Sequence, residues 1–92
     1  MDSYGLQEHF EQAVAYHFCS NKQFFYLFQE FIEVDRLASS SAKLAVQTAR
    51  AIYKDISDAP GAISVVLNRA NTQVNKGKLD IAAYADLTWY LS

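Results

Sequence analysis

The sequence predicts an all-α fold: an antiparallel up-and-down four-helix bundle with room for an extra helix at the N-terminus. Three observations predict it. Only 3 Gly and 1 Pro occur in 92 residues, too few for the many tight turns of an all-β chain. Apolar residues recur at steps of three and four, the spacing of one helix face. Hydrophobic residues make up 51% of the chain, enough for one core rather than a disordered polymer. At this length one domain, residues 1–92, is expected.

The elements follow in chain order. Tyr4 to Phe18 reads as the first helix, with Asp2 or Ser3 as its cap. Its expected inward stripe is Leu6, Phe10, Ala13, Val14 and His17; Gln7, Glu8, Glu11 and Gln12 suggest the wet face. Ser20-Asn21 breaks it, and Asn21 can cap a second helix from Lys22 to Leu37. Phe24, Phe25, Leu27, Phe28, Phe31, Ile32 and Val34 cover more than one side of that segment. A helix so apolar belongs at the centre of a bundle or keeps a face for a partner, and the central place is the expectation. Ser39-Ser40-Ser41 is the weakest helical spot and reads as a capping turn, because short hydroxyl side chains compete with helical hydrogen bonds; if the serines do not break it, the second and third helices merge into one bent helix.

The third helix is expected over Ala42 to Ile56. Leu44, Ala45, Thr48, Ile52 and Ile56 face inward, with Lys43, Gln47, Arg50 and Lys54 opposite. Ser57 and Asp58 can cap the fourth helix, with Pro60 near its first position. Ile63, Val66, Leu67, Ala70 and Val74 give it one apolar stripe. Gly77 stands where a left-handed cap is needed, and Lys76 suits the negative end of the helix dipole. Asp80 opens the fifth helix, lined by Ile81, Tyr84, Leu87, Thr88 and Leu91, with Ala83 and Tyr90 flanking. Trp89 and Tyr90 either pin this last helix to the bundle or offer a contact patch.

Chemistry-bearing groups are few. Cys19 is a lone cysteine, so no internal disulfide forms, which fits a reducing compartment. Its place two residues beyond His17 turns the two side chains apart, so a nucleophile–base pair is not expected. His9, His17 and Cys19 lack metal-ligand spacing. Glu30 and Glu33 lie one turn apart, but no base or metal partner accompanies them. No phosphate-binding glycine string occurs. No catalytic residue, metal or cofactor is therefore expected, and the chain is not expected to be an enzyme.

Charge narrows the partners. The net charge is −2, which gives no general pull toward nucleic acid. Arg69, Asn68, Asn71 and Gln73 carry polar heads, but few lysines surround them, so DNA is not an expected partner. Residues 1–41 hold six acids against two bases, and residues 42–92 six bases against four acids. The longest apolar block, Phe24 to Val34, is too short to span a bilayer and contains Gln29, Glu30 and Glu33. No basic segment followed by an apolar run opens the chain, so no secretory leader is expected. The expectation is a cytoplasmic protein, either a monomer or a weak homodimer.

The string APGAISVVLNRANTQVNKGKLDIAAYADLTWYLS resembles the C-terminal half of the immunity proteins against class IIa (pediocin-like) bacteriocins, the enterocin A immunity type. The resemblance covers residues 41–92. It is carried by Pro60, the Ile63–Val74 stripe, the Lys76-Gly77-Lys78 turn and the Leu79 to Tyr84 segment. It implies a cytosolic, non-enzymatic four-helix bundle that protects the producing cell. Its implied partner is the membrane sugar permease, the mannose phosphotransferase type, engaged by the bacteriocin. Contact from the cytosol with that complex would block the pore, with peripheral membrane association. The family's C-terminal half governs recognition, which points here to Arg69, Lys76, Lys78, Trp89 and Tyr90. A helical interaction module or homodimer subunit unrelated to immunity is the alternative.

Overall fold

A computed structural model describes residues 3–92, with side-chain burial from residue 7 on. Five α-helices are present among the described residues: α1 (Ser3–Ser20), α2 (Lys22–Phe28), α3 (Ser40–Ile56), α4 (Ile63–Asn75) and α5 (Ile81–Tyr90), with a 3-10 turn at Val34–Arg36. No strand occurs among the described residues. The fold is therefore all-α, as the sparse turn residues require. Its radius of gyration is 12.7 Å, close to the value for a compact chain of about this size. Asp2, an expected cap, and the side chain of Leu6, expected to point inward, lie outside the described residues.

Helix α3 is the hub and packs against α1, α4 and α5. Its small residues Ala42, Ala45 and Ala49 are fully buried beside Val46 and Ile52, so neighbouring helices can come close. α1 and α3 run in the same sense. Glu11 meets Ala38 and Ser39 before α3, while Cys19 meets Ala45 one turn into it. The end of α5 is tied to the middle of α1, where the Gln12 amide donates to the Tyr90 carbonyl at 2.9 Å. Phe18, Phe25, Val66, Leu87 and Leu91 complete the core.

Local punctuation follows the side chains. Asn21 accepts from the Phe24 N–H, Ser39 from Ala42 and Asp80 from Ala82, each relieving a free donor of a first turn. Gly77 has φ 72°, and the Lys78 N–H reaches back to the Gln73 carbonyl at 2.8 Å. That closure needs a left-handed residue, which glycine adopts without steric cost.

Three expectations are corrected. The inward face of α1 is not Phe10, Ala13, Val14 and His17 but Glu11, Ala15, Phe18 and Cys19, all buried. Phe10, Ala13 and His17 are exposed, and Val14 is half-buried. The second helix stops at Phe28 instead of reaching Leu37. Had it continued, the Gln29 and Ile32 carbonyls would bond to backbone N–H groups four residues on. Both instead accept from the Arg50 guanidinium, at 2.6 Å for Gln29. Nor is this segment central: Phe25 is its buried residue, while Leu27, Phe28 and Phe31 are exposed.

The entry to α4 also differs. The helix begins at Ile63 after Ala62, with no side-chain cap. Ser57 ends α3 with φ 58°, and Pro60 is buried in the connection. Asp58 does not cap, because its carboxylate is held elsewhere. It takes the Lys22 ammonium at 2.7 Å and the Tyr26 hydroxyl at 2.9 Å. The same Tyr26 oxygen accepts from the Ala59 N–H at 3.1 Å. Lys22 and then Tyr26 hold the Asp58 carboxyl below its usual range. Ile56 and Ile81, both expected inward, are exposed.

Candidate functional site

Glu11 is a core feature that hydrophobic patterning could not reveal. The side chain is only 4% exposed. Its carboxylate accepts from the Ala38 and Ser39 N–H groups at 2.9–3.0 Å and from the Gln7 amide at 3.1 Å. A carboxylate from one helix thus satisfies free donors at the start of another, which a local capping box does within a single helix. Burial opposes the charge, but the Ala38 and Ser39 N–H groups, the Gln7 amide and Lys43 together outweigh it and hold the carboxyl below its usual range.

The sign for stability follows from that lowered value. The contribution is complete above the unfolded glutamate value of roughly 4.3 and is lost as pH falls through the folded one. Thermal melts of the native protein and Glu11→Gln between pH 7 and 3 should show a large gap near neutrality that narrows in acid. A gap independent of pH would contradict the role given to the charge.

The other candidate groups are quiet. Cys19 is fully buried, its thiol donates to the Ala45 carbonyl at 3.6 Å, and burial pushes its pKa up to about 12. Such a thiol packs and does not react. His9 and His17 are exposed, and no cluster of three or more metal-ligating side chains occurs among the described residues. Glu33 pairs with Arg36 at 2.8 Å, on the surface. No described helix is long and apolar enough to cross a membrane.

The five residues marked for partner contact separate into two groups. Arg69 is spoken for, since its guanidinium binds Asp55 at 2.6 Å between α4 and α3. Tyr90 packs against the core with its hydroxyl buried and unpartnered among the described residues. Burial, opposed in part by the nearby Ser39 side chain and helped by the Glu11 and Glu8 charges, raises its pKa. Lys76 and Lys78 are exposed at the α4–α5 turn and form no ion pair among the described residues. Trp89 is 84% exposed. With Ile81 and Ala85, also exposed, it forms a line of every fourth residue along α5, so the three share one outward face. The two terminal aromatics therefore divide the roles: Tyr90 pins, Trp89 projects.

A second surface lies toward the other end of the chain, on the segment whose apolar excess offers a partner face as the alternative to a central place. Phe10 and Val14 of α1, Phe24 and Phe28 of α2, and Phe31 and Ile32 of the following turn line an open groove of about 600 Å³. Phe31 is 75% exposed and Phe10 69%. The aromatic density of residues 24–34 is the signal for it, but hydrophobicity alone does not say whether a ring faces a core or a groove. Arg50 settles that by ending α2 early and holding the turn, with its guanidinium 5.7 Å from the Phe18 ring centre. No known protein family, curated protein or solved structure matches this chain.

Proposed function

We propose that this protein works without catalysis, by binding a protein partner through the outward face of α5 and the turn before it. The observation that carries the reading is the Ile81–Ala85–Trp89 line standing outside the core, with Lys76 and Lys78 at its start. Exposed tryptophan is costly to leave in water and is enriched where binding energy concentrates. The specific form we propose is bacteriocin immunity: cytosolic contact with a membrane sugar permease engaged by a class IIa bacteriocin. The resemblance over residues 41–92 supports that form, and the α5 surface lies within the recognition half of the resembled family. Arg69 and Tyr90 then support the surface from behind, while Lys76, Lys78 and Trp89 touch the partner.

The test is protection. Expression in a strain sensitive to class IIa peptides, challenged with a panel of them, should raise survival against at least one. Trp89→Ala and the double change Lys76→Ala with Lys78→Ala should abolish that protection. Both should melt within a few degrees of the native protein, because exposed positions change stability by only about 0.5 kcal/mol. Unchanged killing by every peptide sinks the immunity form. The groove favours a second reading, an interaction module unrelated to immunity.

A further inference from the structure

Residues 29–39 join α2 to α3 without one buried side chain. Ile32, Val34 and Leu37 lean only partly on the core. The 3-10 turn supplies two backbone bonds, from the Arg36 N–H to the Glu33 carbonyl and from the Leu37 N–H to the Val34 carbonyl. The Glu33–Arg36 ion pair closes within the segment and does not tie it to a helix. What fixes it to the bundle is charge at its two ends. Arg50 of α3 donates to the Gln29 and Ile32 carbonyls. Glu11 of α1 accepts from the Ala38 and Ser39 N–H groups. Between these ties, Glu33, Arg36 and Leu37 help to wall the groove.

The two ties answer differently to pH. A guanidinium keeps its charge throughout. A carboxylate does not, and protonation turns one of its acceptor oxygens into a donor facing N–H groups. We infer that residues 33–39 are a strap, hinged where Arg50 holds it and latched by Glu11, and that protonating Glu11 frees the latched end while the helices stay folded. One wall of the groove then gives way, and the first turn of α3 loses its fixed entry.

The groups around Glu11 come from four elements. On α1, Gln7 donates to it and Glu8 lines the same small hollow. Lys43 of α3 favours its charge, and Tyr90 of α5 brings a hydroxyl close by. From the strap, Arg36 and Glu33 line the groove with it but pair with each other. Lysine, arginine and tyrosine keep one protonation state in mild acid, so Glu8 and Glu33 are the two other carboxyls to control for. Burial opposes the Glu11 charge, but the Ala38 and Ser39 N–H groups, the Gln7 amide and Lys43 outweigh it. Release therefore begins below the roughly 4.3 of a free glutamate and completes as pH falls through the lowered folded value.

Amide exchange followed by NMR on the full chain, expressed as protection relative to free-peptide rates, is the test. From pH 6 to pH 3 the Leu37, Ala38 and Ser39 amides should lose protection by about tenfold or more, the scale of one charged hydrogen bond. Ile32, on the Arg50 side, and the amides of α4 and α5 should change by less than about twofold over the same range, since neither depends on Glu11. The Glu11 carboxyl carbon should titrate with the same midpoint as the strap. Glu11→Gln should show the lowered protection already at pH 6, with no further pH dependence. Glu8→Gln and Glu33→Gln, both at exposed positions, should keep the native profile. Trp89 and the α4–α5 lysines lie outside the strap, so this result and the protection assay fail independently.

Loss of protection at Ala38 and Ser39 in step with α4 would mean that acid unfolds the bundle as a whole, and overturns the strap. A flat profile overturns it too, as does a response that Glu8→Gln or Glu33→Gln removes. Ile32 exchanging together with Ala38 overturns the hinge at Arg50. If Glu11→Gln fails to fold, the profile of the native protein decides by itself.

Discussion

Replacing Phe25 by Ala is expected to destabilise the protein by about 3–5 kcal/mol, at the upper end of what one buried side chain contributes. Phe25 is fully buried at the foot of α2. Its ring centre lies 4.5 Å from that of Phe18 on α1 and 5.3 Å from that of Tyr53 on α3. The Tyr26 and Tyr53 rings meet edge to face at 5.9 Å alongside. One ring therefore joins three helices. Its removal deletes the transfer free energy of a phenyl group and leaves a cavity that two fixed rings on other elements cannot fill. α2 has only seven residues, too few to persist as a helix on its own. Chemical denaturation should show a lower midpoint, and loss of aromatic near-ultraviolet dichroism should accompany it. A midpoint within error of the native protein would remove Phe25 from the core.

Replacing Arg50 by Met is expected to cost about 2–3 kcal/mol, and its effect on the groove should exceed its effect on the rest of the fold. The guanidinium donates to the Gln29 and Ile32 carbonyls. These acceptors lie just past the end of α2, where the helix no longer supplies donors. Methionine preserves much of the side-chain volume but leaves two partly buried carbonyls unpaired, and each unmade bond costs about 1–3 kcal/mol when desolvated. Arg50→Lys restores charge and donor hydrogens on a shorter side chain, so only part of the stability returns. Hydrogen exchange should quicken over residues 29–37 while α4 and α5 keep their protection. Uniform acceleration across the chain would instead make Arg50 a general core residue.

Both predictions concern the segment that sequence patterning places least well. Phe24 to Leu37 has enough hydrophobic residues for a long helix, and nothing within the window marks Phe28 as its end. The stop comes from Arg50, eighteen residues beyond the Ile32 carbonyl that it binds. The same holds for Glu11. Among its neighbours it looks like one more solvated acid, yet its partners are backbone groups twenty-seven and twenty-eight residues away. Asp58 has the neighbours of a helix cap, but Lys22 and Tyr26 of α2 claim it. In each case a charged side chain is fixed by a partner that local periodicity does not contain.

The C-terminal half is far more legible. α4 and α5 carry their own instructions: Val66 and Ala70 at one step, Gly77 at φ 72° and Asp80 as a working cap. These depend on contacts within a few residues, so local sequence specifies them. Sequence by itself determined the all-α class and the α4–α5 turn. Tertiary structure alone decided which face of α1 turns inward, where α2 ends, and that Trp89 projects while Tyr90 packs. The physical reason is the range of the forces involved. Hydrophobic periodicity and caps act over one or two turns, whereas the pairing of a buried charge or the emptiness of a groove depends on residues that only folding brings together.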